Sequence, residues 1–176
     1  DQMRVIVDDV GGGFGMKTGM YAEDGVVAYC AKLLQCPVKW VADRSEEFLT
    51  SYHGRDIQTQ AALALAADGK ILALRVHSAA NVGAYATSTG VAIQLLIGPW
   101  VQTSVYDIQT IDFQFKAVLT NTASTGAYRG AGRPEAIHTM ERLMDEAARQ
   151  TGIDRVALRR RNFIRPEQMP YKNPMA

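Results

Sequence analysis

Apolar residues recur along this chain with two different periods, and the changes of period divide it into elements. Met3 to Val10 is an apolar, β-branched run that predicts a short buried strand. From Met20 to Leu34, the residues Val26, Val27, Cys30, Leu33 and Leu34 recur at helical spacing. Gly25 weakens the start of that helix, and Pro37 ends it. Val38, Trp40 and Ala42 alternate with Lys39 and Val41, a strand pattern. Asp43 and Ser45 are N-cap candidates for a short helix through Phe48.

Two long alternating runs follow, Asp56 to Ala66 and Lys70 to Asn81, with Asp68-Gly69 between them. That dipeptide flanked by alternation predicts a β-hairpin, with Ile57, Thr59, Ala61, Leu63 and Leu65 on one face. Asn81-Val82-Gly83-Ala84-Tyr85 leaves the hairpin, and Ser88 to Gly90 reads as loop. Val91 to Ile97 fits a helix or a strand, stopped by Gly98-Pro99. Ile111, Phe113, Phe115, Ala117 and Leu119 alternate with Asp112, Gln114 and Lys116, a half-buried strand. Pro134 suits the first position of a helix whose buried stripe is Ala136, Ile137, Met140, Leu143, Met144 and Ala147, with Gly152 past its end. Asp154 caps a further helix through Asn162, and Pro166 and Pro170 follow. Strands and helices mix without strict alternation, so the expected class is α+β, with mixed sheets and packed helices.

Composition changes this picture little. The 176 residues are 47% hydrophobic and 21% charged, as in an ordinary globular chain. A net charge of +1 favours neither nucleic acid nor an acidic membrane surface, and no apolar run has spanning length. The two cysteines, Cys30 and Cys36, form no metal-type pair and imply a reduced, cytoplasmic setting. The chain opens on Asp1 in mid-pattern and closes on Asn173-Pro174-Met175-Ala176 without a clear element; both ends read as cuts from a longer protein.

Two glycine-rich stretches carry the candidate chemistry. Gly11-Gly12-Gly13-Phe14-Gly15-Met16-Lys17-Thr18 is not a phosphate loop, because Met16 stands where glycine must precede Lys17-Thr18. It also lacks the dinucleotide fingerprint, since the residue three after Gly15 is Thr18. Phe14 is poor turn chemistry, so it either packs on something the loop encloses or plugs the local core. The second stretch, Thr125 to Glu135, holds three glycines, two arginines and Pro134 at a helix start. It is either an anion site of free N–H groups backed by arginine, or a plain turn. Hydrolytic and metal-ligand signatures are missing: no serine sits in a nucleophile elbow, and His53, His77 and His138 lie far apart, with His77 on a strand and His138 on a helix. Asp8 and Asp9, adjacent in a strand, point to opposite faces. Arg159-Arg160-Arg161 reads as a solvated helix face or, less simply, a phosphate or partner contact. What remains is a site built of backbone, one aromatic and one or two arginines, suited to a large anionic cofactor with its own reactivity.

Gly11-Gly12-Gly13-Phe14-Gly15-Met16-Lys17, followed downstream by Ala127-Tyr128-Arg129-Gly130-Ala131-Gly132-Arg133-Pro134-Glu135, resembles the large subunit of the molybdenum hydroxylases. This is the xanthine oxidase family, which includes aldehyde oxidoreductases and aerobic carbon monoxide dehydrogenases. Asp43-Arg44-Ser45-Glu46-Glu47, the hairpin and Asn81-Val82-Gly83-Ala84-Tyr85 are similar to that family in the same order. The resemblance implies that residues 1–176 are the N-terminal portion of a molybdopterin-binding domain, cut from a longer subunit. It implies molybdenum on molybdopterin cytosine dinucleotide, held by Gly12, Gly13, Phe14, Gly15, Ala127, Tyr128, Arg129, Gly130 and Gly132. Phe14, without ligating, and Gly15 would lie beside the molybdenum, and Arg129 would contact it. An aldehyde or N-heterocycle would be hydroxylated with oxygen from water. Electrons would leave through 2Fe-2S clusters on a small subunit to FAD on a medium subunit.

Some departures bear on that picture. The family's general-base Glu lies in a Gly-x-Gly-Glu motif that this sequence lacks, so no catalytic residue is expected within it and the isolated segment is expected to be inactive. A Gln near the metal in many members would lie upstream of Asp1. Carbon monoxide dehydrogenases carry a copper-binding Cys in the second loop, and Arg129 to Arg133 has none. Purine-oxidising members carry Glu at the place of Thr18, the substrate-pocket position here. Two other readings stand beside this one: a nucleotide- or phosphate-binding module without redox activity, and an assembly segment.

Overall fold

The structure, a computed structural model, describes residues 4–175. Its centre is a three-stranded mixed sheet in the order β1-β2-β3. Strands β1 (Ile57–Leu65) and β2 (Ile71–Gly83) form the antiparallel hairpin, and β3 (Ile111–Leu119) runs parallel to β2 on its other side. Asp68-Gly69 turns the hairpin: Gly69 takes φ +86°, and Ala66 N–H donates to the Lys70 carbonyl at 2.9 Å. From Leu74 onward the even positions of β2 are buried, and Leu74 and Val76 pack in one core cluster with helix α5 (Arg133–Thr151). Met140, Met144, Ala147 and Ala148 of α5, Leu158 of α6 (Arg155–Asn162), and Tyr106 and Ile108 complete the core. Ile137 alone of the expected α5 stripe is largely exposed, one residue round the helix from Ala136.

Asn162 is fully buried at the end of α6 and ties that helix to the hairpin. Its Oδ1 accepts from Ile71 N–H at 2.8 Å, and its Nδ2 donates to the carbonyls of Gly69 and Leu158, both at 2.9 Å. The arginine run on α6 is only partly a solvated face. Arg159 donates to Glu141 at 2.8 Å and to Asp145 at 2.9 Å on α5, while Arg160 is exposed. Lys70 and Tyr171 donate to the Asp107 carboxylate at 3.0 and 3.2 Å. Burial, the largest single influence on Asp107, would raise its pKa, but these hydrogen bonds prevail and hold it below the ordinary aspartate value. A depressed folded-state pKa stabilises above the unfolded value and is lost as pH falls through the folded one. Stability is therefore expected to drop on acidification through that range, and Lys70→Met to flatten the drop in an acid unfolding titration.

Helix α1 (Ala22–Leu34) forms where the apolar spacing places it, and α2 (Arg44–Thr50) begins at Asp43. The Asp43 carboxylate accepts from Glu46 N–H at 2.8 Å, so Asp43 and not Ser45 is the cap. Asp43→Ala is expected to weaken α2 by about 1 kcal/mol. Exchange of the Ser51 amide, which closes the helix on the Glu47 carbonyl, would accelerate roughly fivefold.

Four expectations are corrected. Met3 lies outside the described residues, and residues 4–10 form no strand; Val5 and Val7 are 88% and 74% exposed. Residues 38–42 likewise join no ladder. A strand exists by pairing, and β-branched composition without a neighbouring ladder does not make one. Ser88 to Gly90 is not loop: α3 (Ser88–Ala92) starts there, because the Thr87 hydroxyl caps it by accepting from Gly90 N–H. Nor does Gly98-Pro99 stop the helix. The turn Ile93–Ile97 is π-helical, Gly98 N–H reaches back to the Ile93 carbonyl, and α4 (Gly98–Trp100) continues. The wide turn accommodates Pro99, which has no N–H to give to the normal ladder.

Candidate functional site

The short segment after α2 brings the two glycine-rich loops together. His53 N–H donates to the Ser124 carbonyl at 3.0 Å, and Gly126 N–H donates to the His53 carbonyl at 2.8 Å. Glycine lets this seam close: a Cβ on Gly126 would lie 2.7 Å from the Tyr52 side chain. Tyr52 stacks on Tyr21 with ring centroids 4.7 Å apart, and the Tyr21 hydroxyl donates to the Met16 carbonyl at 2.8 Å. Burial above all pushes the Tyr21 phenol above its ordinary pKa, so it remains a neutral donor. The first loop is thus fastened to the seam from behind.

The loops then meet directly. Gly15 has φ +102°, and a Cβ there would run into the Ala127 carbonyl and approach the Ala127 side chain to 3.0 Å. Gly12 and Phe14 also take positive φ, +114° and +48°. Phe14 is 57% exposed, so it does not plug the core. Its ring lies over Gly12, where a Cβ would approach it to 2.8 Å. In the second loop Gly130, Ala131 and Gly132 take φ of +96°, +46° and +87°. Gly132 rests on the π-helical turn, since a Cβ there would lie 2.9 Å from the Gly98 nitrogen. The wide turn that accommodates Pro99 therefore lies directly under Gly132, through Ile93 and Gly98.

Between the loops and α2 lies an open cleft of about 890 Å³. Of the candidate positions, Gly12, Gly13, Phe14, Ala127 and Tyr128 line it, together with Tyr52 and His53. Gly15 stands at the loop–loop contact, and Arg129, Gly130 and Gly132 continue the second loop beyond the lining. Thr18 does not line the cleft; its hydroxyl donates to the Gly15 carbonyl at 2.6 Å, which fixes the turn of the first loop. No backbone carbonyl of the described residues accepts from the N–H of Phe14, Gly15, Ala127, Tyr128, Arg129 or Gly130. These free donors, beside a half-exposed aromatic ring, suit a large anionic group held mainly by backbone. Among the described residues no cluster of His, Cys, Asp and Glu could ligate a metal directly.

Arg55 was not legible as a site residue. It has φ +65°, and its guanidinium carbon lies 4.7 Å from the centre of the Tyr128 ring. One Nη donates to the Arg129 carbonyl, and Nε lies 3.4 Å from the Glu135 carboxylate at the start of α5. Nothing in the pattern around Gly54-Arg55-Asp56 signals this, because the partners lie more than seventy residues downstream.

Residues 1–163 match the molybdopterin cofactor-binding domain family. The chain is 38% identical to the carbon monoxide dehydrogenase large chain of Afipia carboxidovorans, over 99% of this chain and 22% of that one. It is 34% identical to the nicotine 6-hydroxylase large subunit of Paenarthrobacter nicotinovorans, over 97% of this chain and 21% of the other. Among solved structures, quinoline 2-oxidoreductase from Pseudomonas putida 86 superposes with a TM-score of 0.89 at 36% identity, over 96% of this chain and 22% of that chain. The chain thus spans about a fifth of the length of these relatives. All three carry the names of oxidising enzymes, which leaves a phosphate-binding module without redox activity unsupported.

Proposed function

This chain belongs to the molybdopterin cofactor-binding domain family, and on that premise we propose that residues 1–176 are the N-terminal portion of that domain in a molybdenum hydroxylase large subunit. The observation that carries the reading is the contact of the two glycine loops, Gly15 against Ala127, with unclaimed N–H donors on both sides of it. Those donors fit the group that the family binds, because a pterin bearing phosphates presents many oxygens and needs close backbone approach. Gly12, Gly13, Gly15, Ala127, Tyr128, Gly130 and Gly132 hold the cofactor, which we take to be molybdopterin cytosine dinucleotide. Phe14 and Arg129 would stand nearest the molybdenum, where the Phe14 ring would exclude water and Arg129 would supply positive charge. The bound metal supplies a centre that takes two electrons from the substrate carbon and delivers oxygen from water.

The whole subunit uses a Glu downstream of this segment as general base. Its electrons pass to 2Fe-2S clusters on a small subunit and then to FAD on a medium subunit, in a cytoplasmic complex. Carbon monoxide is not the substrate, because the loop Arg129–Arg133 offers no cysteine for copper. Thr18, outside the cleft lining, stands at the position where purine-oxidising members carry Glu, which leaves aldehydes and N-heterocycles other than purines. The test is turnover by the full-length complex in ¹⁸O-labelled water. One labelled oxygen in the product of an aldehyde or N-heterocycle is expected; turnover of carbon monoxide alone, or label arriving from O₂, contradicts the proposal.

A further inference from the structure

The second glycine loop is the less self-supporting of the two. It passes through positive φ at Gly130, Ala131 and Gly132 in succession, and Ala131 is not a residue that adopts φ +46° freely. Such a path persists only where the surroundings impose it. The local bonds are few: Ala131 N–H to the Tyr128 carbonyl at 2.7 Å, and the Arg133 N–H and guanidinium to the Gly130 carbonyl at 3.2 and 3.3 Å. These lie inside the loop and leave its position relative to the cleft unset.

One side chain outside the loop spans it. Arg55 stacks its guanidinium on Tyr128, donates to the Arg129 carbonyl, and reaches Glu135 beyond the loop's far end. Arg55 Nη2 also lies beside Gly130, 3.4 Å from where a Cβ would stand, while Pro134 at 2.7 Å is what demands glycine there. The tether is anchored at its own root, because Arg55 follows directly on the His53 seam and precedes β1. Arg55 Nε and Glu135 Oε2 are buried without a hydrogen-bond partner, so charge attraction rather than a full bidentate bridge joins the pair. Arginine alone offers a flat face for the ring together with several donors along its edge.

We propose that Arg55 is a positioning residue, which with Glu135 clamps the loop Ala127–Gly132 so that the free N–H groups of Ala127 and Tyr128 stand at the cleft. This rests on the proposed cofactor role of that loop, but the clamp itself can be tested apart from it. The test uses the full-length complex as wild type, Arg55→Met, Arg55→Lys and Glu135→Gln, with amide hydrogen exchange and bound molybdenum measured for each. In Arg55→Met, exchange across residues 127–132 is expected to rise at least about tenfold and molybdenum to fall severalfold, while the β2 and α5 core amides stay as in wild type. Arg55→Lys, which keeps the charge but not the flat fork, is expected to recover only part of both. Glu135→Gln is expected to raise loop exchange less, because the stacking and the carbonyl bond remain. Loop exchange unchanged in Arg55→Met overturns the clamp; should that variant fail to assemble, unchanged exchange in both Arg55→Lys and Glu135→Gln overturns it equally. Exchange that rises as expected in a wild-type background free of molybdenum supports the clamp and sinks the cofactor reading.

Discussion

Gly15→Ala is expected to strip the full-length subunit of most of its molybdenum, on the order of tenfold or more, while leaving the sheet and α5 intact. Two effects combine at this position. The backbone angle of +102° lies where side chains rarely go, a strain of roughly 1–3 kcal/mol. The added Cβ also meets a backbone carbonyl, that of Ala127, which cannot swing aside as a flexible side chain could. The loops must part, and each 1.4 kcal/mol by which the closed arrangement is disfavoured lowers its population about tenfold. Gly11 provides the control within the same loop: a Cβ there has nothing within 4 Å and φ is ordinary, so Gly11→Ala is expected to load molybdenum as the wild type does. Metal analysis of the two purified complexes separates these outcomes.

Asn162→Leu is expected to be the most damaging change away from the site. Leucine keeps the branching of asparagine with bulkier methyl groups, and it leaves Ile71 N–H and the Gly69 carbonyl buried without partners at the root of the hairpin. Each orphaned group costs about 1–3 kcal/mol, so the total falls at roughly 2–6 kcal/mol. Native-state exchange of the Leu74 and Val76 amides, in the strand those bonds register, is expected to accelerate by at least about thirtyfold. A change of less than about threefold would show that water or a small shift of the turn satisfies both groups.

What the sequence disclosed follows from which interactions are local. The hairpin, α1, α2, α5 and α6 were legible because their period, caps and turn residues lie within each element: Asp43 before α2, Asp68-Gly69 between the strands, Gly152 after α5. Residues 4–10 and 38–42 have strand composition but no strand, because pairing is not a local property. The helix through Pro99 is not legible in the sequence, because the compensating wide turn lies upstream of the proline and leaves no compositional mark. In the site, glycines and Phe14 announced themselves as unusual turn chemistry. The parts that join the loops did not: the His53 seam pairs backbone, which any residue offers, and Arg55 finds its partners only in space. Glu135 closes the second glycine-rich stretch, but its sequence neighbours give no reason to pair it with Arg55.

On the proposed function, two glycine loops held together at Gly15 and Ala127 form a wall of a molybdopterin site in a longer subunit. This is tested most directly by metal and nucleotide analysis of the full-length subunit purified with its partner subunits. The account predicts molybdenum and an acid-releasable cytosine nucleotide in about equal amounts, approaching one of each per large subunit. A fully assembled complex containing neither would contradict it.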